Sequence, residues 1–258
     1  GWARGVTLSS DGNTAYVADG TSGLRIIDVS NPNTPTLIET LDTSGSAYGV
    51  TLSPDGNTAY VADNNAGLQI IDVSDSSNPI LIQTFDTSGS TISVILSADG
   101  NTAYVADGNS GLQIIDVRNP STPTLKDTLN TSGFAYGVTL SADGNTAYVA
   151  DNQAGLQIID VSDSSNPALI QTLDTSGAVG VTLSADGNTA YVADGTSGLQ
   201  IIDLVAEEFS TATDTVSITV DSVNDPGAFT GDTSGTGLED AEDDITGTLT
   251  FTDATRSA

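Results

Sequence analysis

An all-β fold is what this sequence predicts, and more narrowly a β-propeller of five four-stranded antiparallel blades with an acidic C-terminal extension. Three observations carry that expectation. The stretch DGNTAYVADGTSGLRIIDVS at 11–30 returns four times almost unchanged, with Asp11 recurring as Asp55, Asp99, Asp143 and Asp186, a period of about 44 residues. Each period holds four short β-rich runs separated by turn formers. The runs Ile26-Ile27 and Tyr16-Val17-Ala18 place apolar side chains on both faces, as a sheet covered on both sides requires. Blades set around an axis, each sandwiched between two neighbours, meet that requirement. A solenoid of stacked hairpins is the alternative, with coils usually shorter than this period.

In the first repeat the strand candidates are GVTLS at 5–9, TAYVAD at 14–19, LRIIDV at 24–29 and TLIETLD at 36–42. Ser10-Asp11-Gly12-Asn13, Gly20-Thr21-Ser22-Gly23, Asn31-Pro32-Asn33-Thr34-Pro35 and Thr43-Ser44-Gly45 separate them. Asp-Gly and Gly-containing links between β-branched runs are hairpin signals, because Gly supplies the positive φ that tight turns demand. Blades 1 to 4 are complete. The fifth has GVTLS at 180–184, TAYVAD at 189–194 and LQIIDL at 199–204, then leaves the pattern without its outermost strand. TDTVSITVDSV at 213–223 alternates apolar and polar residues and is a candidate to close that edge, which would otherwise invite pairing with another chain. Blades 2 and 4 share ADN.AGLQIIDVSDSSNP whereas 1 and 3 share NP.TPTL, so the duplicated unit reads as two blades. An odd number of blades breaks that alternation, and the chain starts and stops mid-pattern. Both facts lead to the expectation of a piece of a longer secreted protein with a sixth blade or more.

Composition narrows the function classes. Acidic residues number 34 against five basic ones (Arg4, Arg25, Arg118, Lys126 and Arg256), a net charge of −29. Such a chain repels phosphate backbones, which argues against nucleic-acid partners, and makes divalent cations the obvious partner. His, Cys and Met are absent, which removes disulfides, thiolate chemistry, the usual structural zinc and any His general base. No apolar run is long enough for a membrane-spanning helix, so membrane insertion is not expected.

GNTAYVADGTSGLRIIDVSNPNTPTLIETLDTSG resembles the LVIVD repeat family of bacterial extracellular propellers and, more distantly, YVTN-type surface-layer propellers. The resemblance covers residues 1–203. It implies that GVTLS lines the axis, that the NP…L..TLDT strand lies outermost, and that the protein is secreted or at the cell surface. Residues 205–258 form an acidic extension whose part 224–258 resembles the start of a VCBS or cadherin-like adhesin module, too short to close a sandwich.

Three sets of residues are candidates for chemistry. The repeated aspartates of VAD (Asp19, Asp63, Asp107, Asp151, Asp194) and IID (Asp28, Asp72, Asp116, Asp160, Asp203) either cap turns through backbone N–H groups or supply oxygen ligands to Ca²⁺, although no blade loop has EF-hand spacing. Asp221, Asn224 and Asp225 resemble the calcium-chelating linker of cadherin-type modules, with Pro226 in place of its last Asn. Finally, a site in a symmetric propeller needs asymmetry. Trp2 aligns with Ser46, Ser90 and Phe134, and Arg4 with Tyr48, Ile92, Tyr136 and Val179, where the surroundings repeat but these residues change. The resemblance puts them at one mouth of the channel, where Trp2, Arg4, Tyr48, Phe134 and Tyr136 either plug it or stack on a glycan and hold an anion. The innermost strands carry no acid, so carboxylate catalysis is not expected. The resulting expectation is a non-enzymatic structural or adhesive surface module stabilised by Ca²⁺. The alternatives are a lectin-like glycan binder, or a self-assembling subunit that passes strand 213–223 to a neighbouring copy.

Overall fold

The computed structural model describes residues 1–204 and contains four four-stranded sheets and one three-stranded sheet, all antiparallel, as the blades of a propeller. Blade 1 is β1 (Gly5–Leu8), β2 (Thr14–Ala18), β3 (Leu24–Asp28) and β4 (Thr36–Leu41). Blade 2 is β5 (Gly49–Leu52), β6 (Thr58–Ala62), β7 (Leu68–Asp72) and β8 (Ile80–Phe85). Blade 3 is β9 (Ser93–Leu96), β10 (Thr102–Ala106), β11 (Leu112–Asp116) and β12 (Thr124–Leu129). Blade 4 is β13 (Gly137–Leu140), β14 (Thr146–Ala150), β15 (Leu156–Asp160) and β16 (Ala168–Leu173). Blade 5 is β17 (Gly180–Leu183), β18 (Thr189–Asp194) and β19 (Gly198–Asp203). The closing strand expected over 213–223 and the adhesin-like segment over 224–258 lie outside the described residues.

Most strands are one residue shorter than the sequence runs, because the last residue of each run turns away to close its loop. Ser9 is typical: its hydroxyl donates to Asp11 at 2.5 Å and accepts the Thr14 N–H at 2.9 Å. Asp11 also accepts the Asn13 N–H at 3.0 Å, so one carboxylate holds the whole β1–β2 turn. The same set recurs at Asp55, Asp99, Asp143 and Asp186. Between β3 and β4 the register skips Ile38, a bulge repeated in blades 2, 3 and 4.

The core is built between blades. The forward face of blade 1 (Tyr16, Ala18, Leu24, Ile26) meets Ala59, Val61, Ile71 and Val73 of blade 2. The pattern repeats between blades 2 and 3, 3 and 4, and 4 and 5. Five sheets thus make four buried interfaces among the described residues. The expectation that every blade lies between two neighbours is corrected at both ends. Val6 and Leu8 on the outer face of blade 1 are 65% and 54% exposed, and Leu199 and Ile201 on the outer face of blade 5 are 63% and 66% exposed.

Backbone bridges tie each blade to the next outside the sheets: Gly20 pairs with Ala47, Asn64 with Thr91, Gly108 with Ala135 and Asn152 with Ala178. The first residue of each pair is left-handed, with φ of 55°, 49°, 56° and 48°. Only Gly and Asn tolerate that conformation at low cost, which explains their alternation along the repeats.

Candidate functional site

Three of the five mouth residues do meet. Arg4, Tyr48 and Tyr136, with Ile92 and Ser93, line an open cavity of about 350 Å³ at the start of the innermost strands. Their alignment is set by the backbone. The N–H groups of Arg4, Tyr48, Ile92, Tyr136 and Val179 donate to Ala18, Ala62, Ala106, Ala150 and Ala193 at 2.8–2.9 Å, one per blade. Each side chain therefore leaves its blade at the same height. The Arg4 guanidinium lies 4.0 Å from the Tyr48 ring centroid, a cation–π contact that holds a cation at the rim without a carboxylate partner. Phe134 packs on Tyr136 with ring centroids 4.8 Å apart, tilted by 45°. It buttresses Tyr136 rather than lining the cavity. Trp2 is 79% exposed and stands outside the lining. What the arrangement offers chemically is a cationic edge between two aromatic faces, suited to a polar ring or an anionic group.

The aspartates divide into two classes. Asp28, Asp72 and Asp160 cap locally, each accepting the N–H two residues on at 2.9 Å. The adjacent serine hydroxyls and these N–H groups hold their carboxyls below the usual range. Asp116 is paired with Arg118 in the same turn, which lowers it to about 2.

The VAD aspartates do something that the sequence reading missed. Asp63 is fully buried and takes the Thr43 hydroxyl at 2.7 Å and the Gly45 N–H at 2.9 Å. Both donors belong to the link that enters blade 2 from blade 1. Asp151 holds Thr131 and Gly133 at the same distances. In blade 3, Asp107 Oδ1 takes the hydroxyls of Thr87 at 2.7 Å and Thr91 at 3.0 Å, while Oδ2 is buried with no hydrogen-bond partner. These carboxylates are latches between blades, not turn caps. Burial raises Asp63 and Asp151, and pushes Asp107 up to about 6. Blade 1 has no preceding link, and there the chain's amino group lies 3.7 Å and Arg25 3.4 Å from Asp19. The legible signal was the constant pairing of D-T-S-G with a VAD some 20 residues later (Thr43 with Asp63, Thr131 with Asp151).

Among the described residues no group of three or more acidic, His or Cys side chains is placed to hold a metal ion. Asp221, Asn224 and Asp225 lie outside the described residues. Among the described residues no helix is long and apolar enough to cross a membrane.

Solved structures share the fold. The periplasmic gluconolactonase PpgL of Pseudomonas aeruginosa superposes with a TM-score of 0.68 at 19% identity, over 77% of this chain and 65% of that one. The chain therefore spans just under two thirds of that protein's length. A functionally unknown protein from Desulfotomaculum acetoxidans gives a TM-score of 0.63 at 20% identity over 78% and 68% of the two chains. The β-propeller domain of Cps50 (Swd1) from Myceliophteria thermophila gives 0.62 at 13% identity over 78% and 73%. At these identities the likeness is one of fold. No curated protein matches the sequence. The LVIVD repeat model matches residues 1–43, 44–87, 88–131, 133–175 and 180–207, one match for each blade, and the chain belongs to the LVIVD repeat family.

Proposed function

We propose that this propeller is a non-enzymatic structural or adhesive module, secreted or displayed at the cell surface and stabilised by calcium. The observation that supports the structural part is how the repeated carboxylates are used. Each one described above closes a turn or latches a link between blades, so repetition serves rigidity. The periplasmic setting of the gluconolactonase propeller and the family's resemblance to extracellular propellers support the location. The calcium part rests on the charge of −29 and on Asp221, Asn224 and Asp225 in their linker-like run.

Thermal melts with Ca²⁺ and with excess chelator test this reading, together with a gluconolactone hydrolysis assay. A cation at 100 times its dissociation constant stabilises by about 2.7 kcal/mol, so the midpoint should rise with Ca²⁺ and the rise should disappear in Asp221→Asn/Asp225→Asn. Lactone loss should stay at the buffer rate. An unmoved midpoint removes the calcium claim, and enzyme-dependent lactone turnover removes the non-enzymatic one.

A second reading, glycan binding at the channel mouth, is favoured by Arg4, Tyr48 and Tyr136 meeting across one cavity. Titration with neutral and uronic-acid oligosaccharides should show weak binding that falls tenfold or more in Tyr136→Ala and Arg4→Ala, with the melting midpoint held. Equal binding by wild type and both variants would sink it.

A further inference from the structure

The two uncovered sheet faces form a matched pair. On blade 5, Leu199 and Ile201 occupy the register positions of Leu24 and Ile26, Leu68 and Ile70, and Leu112 and Ile114. Those six are fully buried against the following blade, whereas Leu199 and Ile201 are exposed. On blade 1, Val6 and Leu8 occupy the positions of Val50 and Leu52, Val94 and Leu96, and Val138 and Leu140, which pack against the preceding blade. Each free face is therefore the half of an interface that the chain already makes four times. The half it lacks is carried at the other end of the same chain.

We infer that a second copy of this chain docks head-to-tail, the outer face of blade 5 in one copy packing on the outer face of blade 1 in the next. The repeated interface says what covers each face: a four-stranded blade presenting alternating Val and Leu on one side, or Tyr, Leu and Ile on the other. The backbone bridge between blades has its counterpart here too. Gly195, at the place of Asn152, keeps a φ of 45° and makes no such bridge among the described residues. Ala3 stands at the place of Ala47, three residues further in register from Gly5 and Gly49. The association is heterologous, so it propagates unless the array closes into a ring. Like charge on every copy opposes it at low salt, and screening favours it. This mode uses sheet faces and is independent of the function proposed above.

The experiment is sedimentation velocity of the whole chain over a hundredfold range of concentration, at low and at moderate salt. Weight-average mass should climb above that of one chain with concentration, more strongly at moderate salt. Leu199→Asp/Ile201→Asp blocks the blade 5 face and Val6→Asp/Leu8→Asp blocks the blade 1 face. Each variant alone should remain monomeric at every concentration, and an equimolar mixture should form a dimer that grows no further. Circular dichroism and melting of each variant establish that it is folded, and the blade 5 variant alone suffices if the other is not. Wild type that stays monomeric throughout overturns the inference, as does a folded single-face variant that still associates by itself. A monomeric wild type whose melting point falls in both variants would instead mean that the two faces close on each other within one chain.

Discussion

Replacing Ile114 with alanine is expected to destabilise the propeller by about 2–5 kcal/mol, while Ile201→Ala at dilute concentration is expected to cost less than about 0.5 kcal/mol. The two residues hold the same register position, opposite Tyr104 and Tyr191. What differs is the next sheet. Ile114 is fully buried against blade 4, and removal of three carbons leaves a cavity that a β-sheet interface cannot collapse to fill. Ile201 is 66% exposed and loses little contact. Ile26→Ala and Ile70→Ala should behave as Ile114→Ala, since both are fully buried. Melting followed by circular dichroism at low micromolar protein reads the series. In a chain of this size each kcal/mol moves the midpoint by about 2–4 °C. An Ile201→Ala cost equal to that of Ile114→Ala would show that blade 5 is covered in solution.

That series also marks where sequence reading ended. Strand positions, turn chemistry and the buried tyrosines of the second strands were legible, because local hydrogen bonding and two-faced apolar runs depend on a few consecutive residues. Whether a given blade has a neighbour was not legible. Ile201 and Ile114 sit in the identical hexapeptide GLQIID, and exposure is decided by a sheet elsewhere in the chain. Blade 1 carried a hint in Arg25, which replaces the glutamine of the other blades. Gln69, Gln113 and Gln157 are buried and accept from Thr84, Thr128 and Thr172 within their own sheets at 2.7–2.9 Å. Arg25 instead reaches out to Asp19.

At the mouth, comparison of blades found Arg4, Tyr48 and Tyr136 because asymmetry in a symmetric frame is visible in sequence alone. It also selected Trp2 and Phe134 on alignment, and alignment cannot say which way a ring turns. Phe134 turns onto Tyr136, where Gly108 leaves room: a Cβ on that glycine would come within 2.8 Å of the Phe134 ring. The VAD aspartates were misassigned for a related reason. Asx caps are local by habit, and the donors to Asp63 come from about 20 residues upstream, across the blade boundary.

Acid should stabilise this protein before it denatures it. Asp107 titrates at about 6 in the folded state against 3.8 in a model peptide, because burial disfavours its charged form. The folded state therefore binds more protons between those values, and stability falls as pH rises from about 4 to 6, after which the loss is complete. Asp63 and Asp151 are raised as well and act with the same sign. The exposed caps act oppositely. Asp11, Asp55, Asp99, Asp143 and Asp186 are lowered by the serine hydroxyls beside them, so their contribution is present above the model value and disappears as pH falls through their folded values. Melting midpoints should thus peak between about pH 4 and 5 and decline on both sides. The Asp107 share is on the order of 2–3 kcal/mol, from a shift of about two units. Two amide variants separate this from general charge repulsion. In Asp107→Asn the retained oxygen still accepts from Thr87 and Thr91, and the amide replaces an oxygen that had no partner. That variant should melt higher than wild type at pH 8 and show a flatter profile between pH 4 and 6. In Asp63→Asn both carboxylate oxygens were acceptors, one for Thr43 and one for the Gly45 N–H, and an amide has only one to give. It should melt lower at pH 8, by the 1–3 kcal/mol that an unpaired buried donor costs. If both variants melt alike, the difference between these latches does not govern stability, and the acid optimum belongs to net charge alone.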